Sequence, residues 1–542
     1  MDFVFTLHSH LPWVLHHGRW PHGSDWLCEA AVDTYLPLIE CLDRLSVDEV
    51  RAPLTVGVTP VLANQLAHPD FATELEAFFE QRLEACDEAA GDFEESGETH
   101  LIPLTGYWRV RLERLRRCFR ELDGGIIGDL AAHARAGRIE LLSSAATHGF
   151  LPLLRRSESV RLQLATGNAE HRRLFGIEPR GMWLPECAYR SGLEIPIGEA
   201  GFQFFFVDSH MAQAGRSLSL YAEDDPATGW RLPAETELDR QYPRSPYRAY
   251  RVGSTARVTA FVRDPESTLR VWSRHQGYPG DGGYLEFHKI RWPGGLKLWR
   301  VTGADVELGG KEPYDANVAR ARAHQHAAGY GSLLGRIDRT VRPAGGEVIA
   351  TPFDTELFGH WWYEGVDFIG DLYRNLGSHS SVRPATASEH LDGRTERRND
   401  GQSIELAEGS WGANGDFSKW MNAETQWTWD RLWTLEERFW NLVQGPPSVV
   451  PSFRPSVLDQ AARELLLAQS SDWQFIISTG AAGDYASKRF TGHCDALASL
   501  LDALESGEGG EAALAAHASN DDCFPNIGEI LREMRGHRSP DR

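Results

Sequence analysis

Seven short apolar runs along the chain each stop at a polar residue. Phe3–Leu7 ends at His8 and His10, Leu54–Val58 at Thr59-Pro60, and Ile139–Leu142 leads through Ser143–Thr147 to His148. Gly181–Leu184 reaches Pro185-Glu186, Phe202–Val207 reaches Asp208, Arg257–Val262 reaches Arg263-Asp264, and Val348–Phe353 reaches Asp354. Their β-branched and aromatic content predicts strands. Between many of them lie stretches of helical period, such as Leu36–Leu45, Leu75–Ala85 and Leu115–Ala136. Alternating strands and helices imply an α/β fold with a parallel sheet. Polar residues gathered at the C-terminal strand ends imply a barrel whose upper face holds the chemistry. The count is seven strands.

Three stretches interrupt the rhythm. Residues 187–249 are polar and rich in Pro, Asp and Arg, which suits a small inserted domain or lid. Residues 388–403, "SEHLDGRTERRNDGQS", read as a charged loop and domain boundary. Beyond 416 the period becomes helical. The expected division is therefore a discontinuous barrel over 1–186 and 250–404, an insert over 187–249, and a helical domain over 405–535. The acidic run "GDFEESGE", 91–98, reads as a solvated loop.

Composition narrows the function classes. A length of 542 residues exceeds what one core usually supports. A formal charge of −22 argues against nucleic acid and anionic membranes as partners. Seven Cys without CxxC spacing fit a reducing compartment, and the N-terminus lacks a basic signal-peptide start, so a cytoplasmic protein is expected. Eighteen Trp supply flat apolar surfaces with one donor each.

Five constellations carry candidate chemistry. In "HSHLPW", 8–13, His8 and His10 lie two apart on a strand and share a face, which suits either metal ligation or hydrogen bonding to a polar substrate. In "GMWLPECAYR", Glu186 follows a strand between Trp183 and Tyr189, where apolar neighbours tune a carboxyl. In "TPFDTELFGHWWYEG", 351–365, Asp354 ends the last strand inside a run of aromatics, with Glu356 expected behind it. Carboxyls about 5–5.5 Å apart would make a retaining glycosidase pair, and about 6.5–9.5 Å an inverting one. The stretch 261–289 mixes Arg, Asp, Trp, Tyr and Gly in what reads as a loop too polar for core, and that mixture suits sugar hydroxyls and sugar faces. The fifth, "AEGSWGANGDFSKWMNAETQWTW", places Trp411 among loop-formers, whereas Trp427, Trp429, Trp433 and Trp440 fall on a helix and read as core.

The motifs "HSHLP", "VGVTP", "WLPE", "PFDTELFGHWW" and "EGSWGANGDFSKW" resemble the five signature regions of glycoside hydrolase family 57. The blocks "RDPE…VWSR…GYPGD" and "SSDWQFIISTG" resemble its branching-enzyme subfamily. The likeness runs in order from about residue 3 to 490. It implies a catalytic (β/α)7 barrel, a small insert and a C-terminal helical domain. It also implies a retaining reaction without metal or other cofactor. Residue by residue, it implies Glu186 as nucleophile and Asp354 as general acid/base. His8, His10, His148, Arg263, Gly280, Trp411 and Asp472 would bind substrate, and Trp26, Trp272 and Trp420 would stack on glucan. The implied partners are an α-1,4-glucan donor and acceptor, with the chain a monomer or weak homo-oligomer.

Two other readings stay open at this level. One is an α-amylase-like hydrolase on the same scaffold. The other is a metal-dependent amidohydrolase or deacetylase suggested by the HxH, although no HExxH accompanies it.

Overall fold

The structure, a computed structural model, describes residues 1–213, 244–253, 258–273, 277–379, 381–396, 403–445 and 455–536. Its strands are β1 (Asp2–Ser9), β2 (Leu54–Val58), β3 (Ile139–Ser144), β4 (Met182–Trp183), β5 (Phe204–Val207) and β6 (Ala249–Val252). They continue as β7 (Val258–Val262), β8 (Ile290–Arg291), β9 (Leu296–Lys297), β10 (Val348–Asp354), β11 (Arg383–Pro384) and β12 (Ser403–Ile404). All seven runs predicted from the sequence are strands.

Those seven close into a ring. β10, β1, β2, β3 and β4 pair in that order, all parallel. A bridge between Gly181 and Phe204 carries the ring to β5, β5 pairs with β7, and a bridge between Arg263 and Ala350 returns it to β10. Two seams thus rest on single bridges. At the first, a Cβ on residue 181 would lie 2.2 Å from the Phe204 ring, so only glycine lets the strands meet. At the second, β6 runs antiparallel to β7, and the Tyr247 carbonyl accepts from the Glu347 and Val348 N–H groups at 2.8 and 3.2 Å. The result is a distorted (β/α)7 barrel.

Strand periodicity decides what lies inside. Phe3, Phe5 and Leu7 of β1 pack outward in the main core, while Val4 joins Leu142, Trp183, Phe206, Phe261 and Ala350 within the barrel. His8 shares Val4's face, and in the β1–β10 register it stands opposite Asp354.

Several expectations need correction. The pattern Leu115–Ala136 is two helices, Ile102–Glu121 and Gly125–Arg135, broken where Gly124 takes φ 77°. The acidic run 91–98 is the end of the helix Pro69–Ser96, because Phe93 is buried and anchors it. The stretch 261–289 contains the helix Pro265–Trp272 and the buried Tyr284, so it is partly core. Of the range 187–249, residues through Ala212 belong to the barrel by way of β5 and the helix Ser209–Ala212. Of the expected lid, 214–243 lies outside the described residues and Ala249 already begins β6; the expected boundary loop 388–403 is instead helical over Ala387–Glu396, and its 397–402 lies outside the described residues.

Beyond the barrel the described residues form six helices: Gln426–Gln444, Pro455–Ala468, Asp472–Thr479, Gly483–Ser506, Gly510–His517 and Ile527–Gly536. Indole N–H groups fasten them to the barrel. Trp440 donates to Ser159 Oγ at 2.7 Å, Trp433 to the Leu153 carbonyl at 2.8 Å, and Trp13 to the Asn520 carbonyl at 2.8 Å. Of the four tryptophans read as core, Trp429 and Trp440 are fully buried, whereas Trp427 is 41% exposed. Among the described residues no helix is long and apolar enough to cross a membrane.

Candidate active site

The C-terminal strand ends converge on two carboxyls. After β4 the chain makes a sharp turn at Pro185–Cys187, in which Glu186 and Cys187 adopt φ 57° and 47°. Non-glycine residues in this left-handed region cost on the order of 1–3 kcal/mol each and persist where neighbours fix them. Here the neighbours are explicit. Trp411 Nε1 donates to Glu186 Oε2 at 2.8 Å, Ser471 Oγ donates to Oε1 at 2.7 Å, and the Trp411 N–H donates to the Glu186 carbonyl at 3.0 Å. Both carboxylate oxygens are held.

Asp354 sits on a regular strand end instead. Among the described residues no hydrogen bond reaches its carboxyl. Burial pushes its pKa well above the ordinary value, and the charges of Glu356 and Glu186 push it further, against a smaller pull from Arg263. Burial also raises Glu186, and the bonds from Trp411 and Ser471 offset only part of that rise. One carboxyl is thus held to accept hydrogen bonds, and the other is inclined to keep its proton.

Histidines fill the space beside them. The His10 and His148 rings stack at 4.1 Å, His8 and His148 at 4.9 Å, and His8 lies on Trp183 at 4.5 Å. His8 Nε2 and His148 Nε2 are 3.0 Å apart, and His148 Nδ1 is 2.9 Å from Ser471 Oγ. Burial drives both His8 and His148 well below the usual imidazole pKa, and His10 adds to it, so both are neutral. His10 bonds Thr59 Oγ1 at 3.0 Å and Asp472 Oδ2 at 2.7 Å. Burial would raise the Asp472 carboxyl, but the charge and hydrogen bond of His10 outweigh it and hold the group low.

The structure brings Glu186, Asp354, His8, His10, His148, Trp411 and Asp472 into one cluster. Three expectations change. His8 is 2% exposed beneath His148 and Trp183, so it supports the cluster from below. Arg263 is 3% exposed, donates to Asp208 Oδ2 at 3.1 Å and lies under the Trp411 ring, 5.7 Å from its centre. Trp420 is 1% exposed and stacks on Phe150 at 4.7 Å, so it offers no face to a sugar. Glu356 lies behind Asp354: the chain turns at Thr355–Leu357, and its carboxylate accepts from Tyr35. Trp26, Trp272 and Gly280 are joined to neither carboxyl by a hydrogen bond or ring contact among the described residues.

Sequence reasoning missed Ser471, Asp208 and Trp183 as members of the site. Asp208 had a visible signal, a polar residue ending a strand. Ser471 had only its place beside Asp472. Trp411 reaches Glu186 because its loop packs tightly: a Cβ on Gly409 would lie 2.6 Å from the Gly415 carbonyl and 2.9 Å from His210 Nε2. Groups that could hold a cation lie outside this cluster, at His16, His68 and Asp70 and at His17, His493 and Asp521. The His10 and His148 rings present faces to one another, whereas His8 and His148 meet through their Nε2 atoms.

Comparison with known proteins agrees with this architecture. Residues 4–405 match the family model described as Glycosyl hydrolase family 57, and residues 431–530 match "1,4-alpha-glucan branching enzyme, C-terminal". The chain is 38% identical over 515 residues to a 1,4-alpha-glucan branching enzyme of Thermococcus kodakarensis, covering 90% of this chain and 72% of that one. It is 34% identical over 535 residues to a probable 1,4-alpha-glucan branching enzyme of Mycobacterium tuberculosis, covering 93% and 92%. A crystal structure of the Thermococcus enzyme superposes with TM-score 0.87 at 36% identity, covering 97% of this chain and 95% of that one. The alpha-amylase AmyC of Thermotoga maritima superposes with TM-score 0.81 at 30% identity, covering 98% of each. With the family model matching residues 4–405 and relatives at 34–38% identity covering at least nine-tenths of this chain, the chain belongs to glycosyl hydrolase family 57.

Proposed function

We propose that the protein is a 1,4-α-glucan branching enzyme that works by retaining double displacement. The observation that carries the mechanism is the contrast between the two carboxyls. Glu186 has a donor on each oxygen, which favours the ionised, nucleophilic form. Asp354 has no donor among the described residues and a strongly raised pKa, which favours the protonated acid. Two titratable groups driven apart by their surroundings divide the roles of nucleophile and acid/base.

Asp354 donates its proton to the glycosidic oxygen while Glu186 attacks the anomeric carbon. The bond to the leaving chain breaks and a glycosyl ester forms on Glu186. Asp354, now ionised, takes the proton of the incoming nucleophile as the ester bond breaks. A 6-hydroxyl of a second chain gives an α-1,6 branch, and water gives hydrolysis. Likeness to named branching enzymes over most of the chain, including the C-terminal helical region, supports transfer to a 6-hydroxyl.

The second reading, hydrolysis, is favoured by the structural likeness to AmyC. Incubating the protein with amylose and then debranching the product with isoamylase separates the two. Released short chains without a matching rise in reducing ends before debranching mean branching. Rising reducing ends with nothing released by isoamylase mean hydrolysis, and the proposal fails.

A further inference from the structure

We propose that Ser471 is the positioning residue of Glu186, the last link of a one-way chain of hydrogen bonds running from His8 through His148 to the nucleophile. The proposal rests on Glu186 being the nucleophile. Ser471 is fully buried and acts through the carboxylate rather than on substrate.

The direction of the chain follows from counting protons. An ionised carboxylate only accepts, so Ser471 must donate its hydroxyl hydrogen to Glu186 Oε1, 2.7 Å away. Its oxygen is then free to accept from His148 Nδ1 at 2.9 Å. A neutral imidazole has one N–H, so His148 Nε2 is left as an acceptor and takes the Nε2–H of His8 at 3.0 Å. That leaves His8 Nδ1 without a proton, and this buried atom has no hydrogen-bond partner among the described residues. A Cβ added at Gly57 would sit 3.6 Å from it, and glycine offers it no side-chain donor. Successive donors of one sense polarise each other and strengthen the final bond.

The backbone is arranged to hold this serine still. The Ser471 N–H donates to the His148 carbonyl at 3.1 Å, and Ser470 bridges Gly149. His148 itself is held at φ 57°, a left-handed conformation that this stitching stabilises. Three consecutive residues then divide the work: Ser470 donates to Asp472, Ser471 holds Glu186, and Asp472 receives His10. The helical region therefore supplies half of the nucleophile's anchorage.

The test is the pH dependence of turnover on amylose by Ser471→Ala, Ser471→Thr and Glu186→Gln. Ser471→Ala is expected to lower kcat roughly 10- to 100-fold, the effect of one lost bond to a charged group, with KM changed less. The acidic limb of kcat/KM, which reports ionisation of the nucleophile, should move to higher pH because the carboxylate has lost a donor. Ser471→Thr, which keeps the hydroxyl, should bring the limb back. Should the alanine chain fail to fold, Ser471→Cys keeps the size with a weaker donor and should show a smaller shift of the same sign. An acidic limb unmoved in a folded alanine or cysteine variant overturns the proposal. Activity retained by Glu186→Gln would instead overturn the assignment of the nucleophile.

Discussion

Glu186 follows β4 and Asp354 ends β10, and the chain treats these two strand ends in opposite ways. Glu186 leaves its strand in a left-handed turn and is held by donors 225 and 285 residues away in sequence. Asp354 stays on the strand and is surrounded by burial and like charge. The first arrangement lowers the cost of a negative charge, and the second raises it. The difference teaches that a division of labour between like side chains needs no difference in the strands that deliver them. It is written in what the rest of the chain brings alongside.

The largest test of that contrast removes each carboxyl in turn. Asp354→Asn should cost about 10²- to 10⁴-fold in turnover, the range of a lost general acid/base. Glu186→Gln should cost more, because the ester cannot form. Azide sharpens the comparison. With an α-glucan, Glu186→Ala should yield a β-glycosyl azide by direct attack, and Asp354→Ala an α-glycosyl azide by attack on the ester. Identical anomers from both variants would erase the distinction between the two sites.

The second effect in size concerns the indole that holds Glu186. Trp411→Phe keeps an aromatic ring but removes the donor on Oε2, which should lower kcat roughly 10- to 100-fold. The same change should leave the basic limb of the pH profile in place, because that limb belongs to Asp354. A shift of the basic limb alone would mean that Trp411 serves the wrong carboxyl.

What the sequence makes legible follows the same division. Strand ends can be read because period-two apolar runs and the polar residue after them are local, and this locates Glu186, Asp354 and Asp208 alike. The donors on Glu186 cannot be read this way. Ser471 acquires its meaning only when the helical region docks on the loop after β3, which no local pattern encodes. Trp420 misleads for a related reason: its Gly- and Asn-rich surroundings resemble an open loop, yet Phe150 covers its face. Trp411, nine residues earlier, comes from the same loop and reaches the site. The helix break at Leu122–Gly124 was hidden because apolar residues keep their period across it.

Stability gives a third, smaller reading of the contrast. A carboxyl raised by burial binds its proton more tightly in the folded chain than in the unfolded one, where Asp titrates near about 3.9. Its contribution to stability is complete below that unfolded value and is lost as pH rises through the folded one. Asp354→Asn cannot ionise, so its melting temperature should match wild type in acid and exceed it progressively at neutral and alkaline pH. Glu186→Gln should gain less, since it also gives up an ionic acceptor for Ser471 and Trp411. Equal gains in both would show that burial alone, and not the donors, sets the two environments.

The smallest expected effect lies one step behind Asp354. Tyr35 donates to Glu356, and that bond pulls the Glu356 carboxyl down while burial raises it. The Glu356 charge is in turn one of the forces that raise Asp354. Tyr35→Phe removes the donor, so Glu356 should spend more time neutral and press less on Asp354. The Asp354 pKa then falls, and the basic limb of kcat/KM should move toward acid by a fraction of a pH unit, with a few-fold loss of turnover above it. The sign matters more than the size. A basic limb that moves toward alkali would mean that Tyr35 restrains the charge on Glu356 rather than maintaining it. The protonation of Asp354 would then rest on burial and on Glu186 alone.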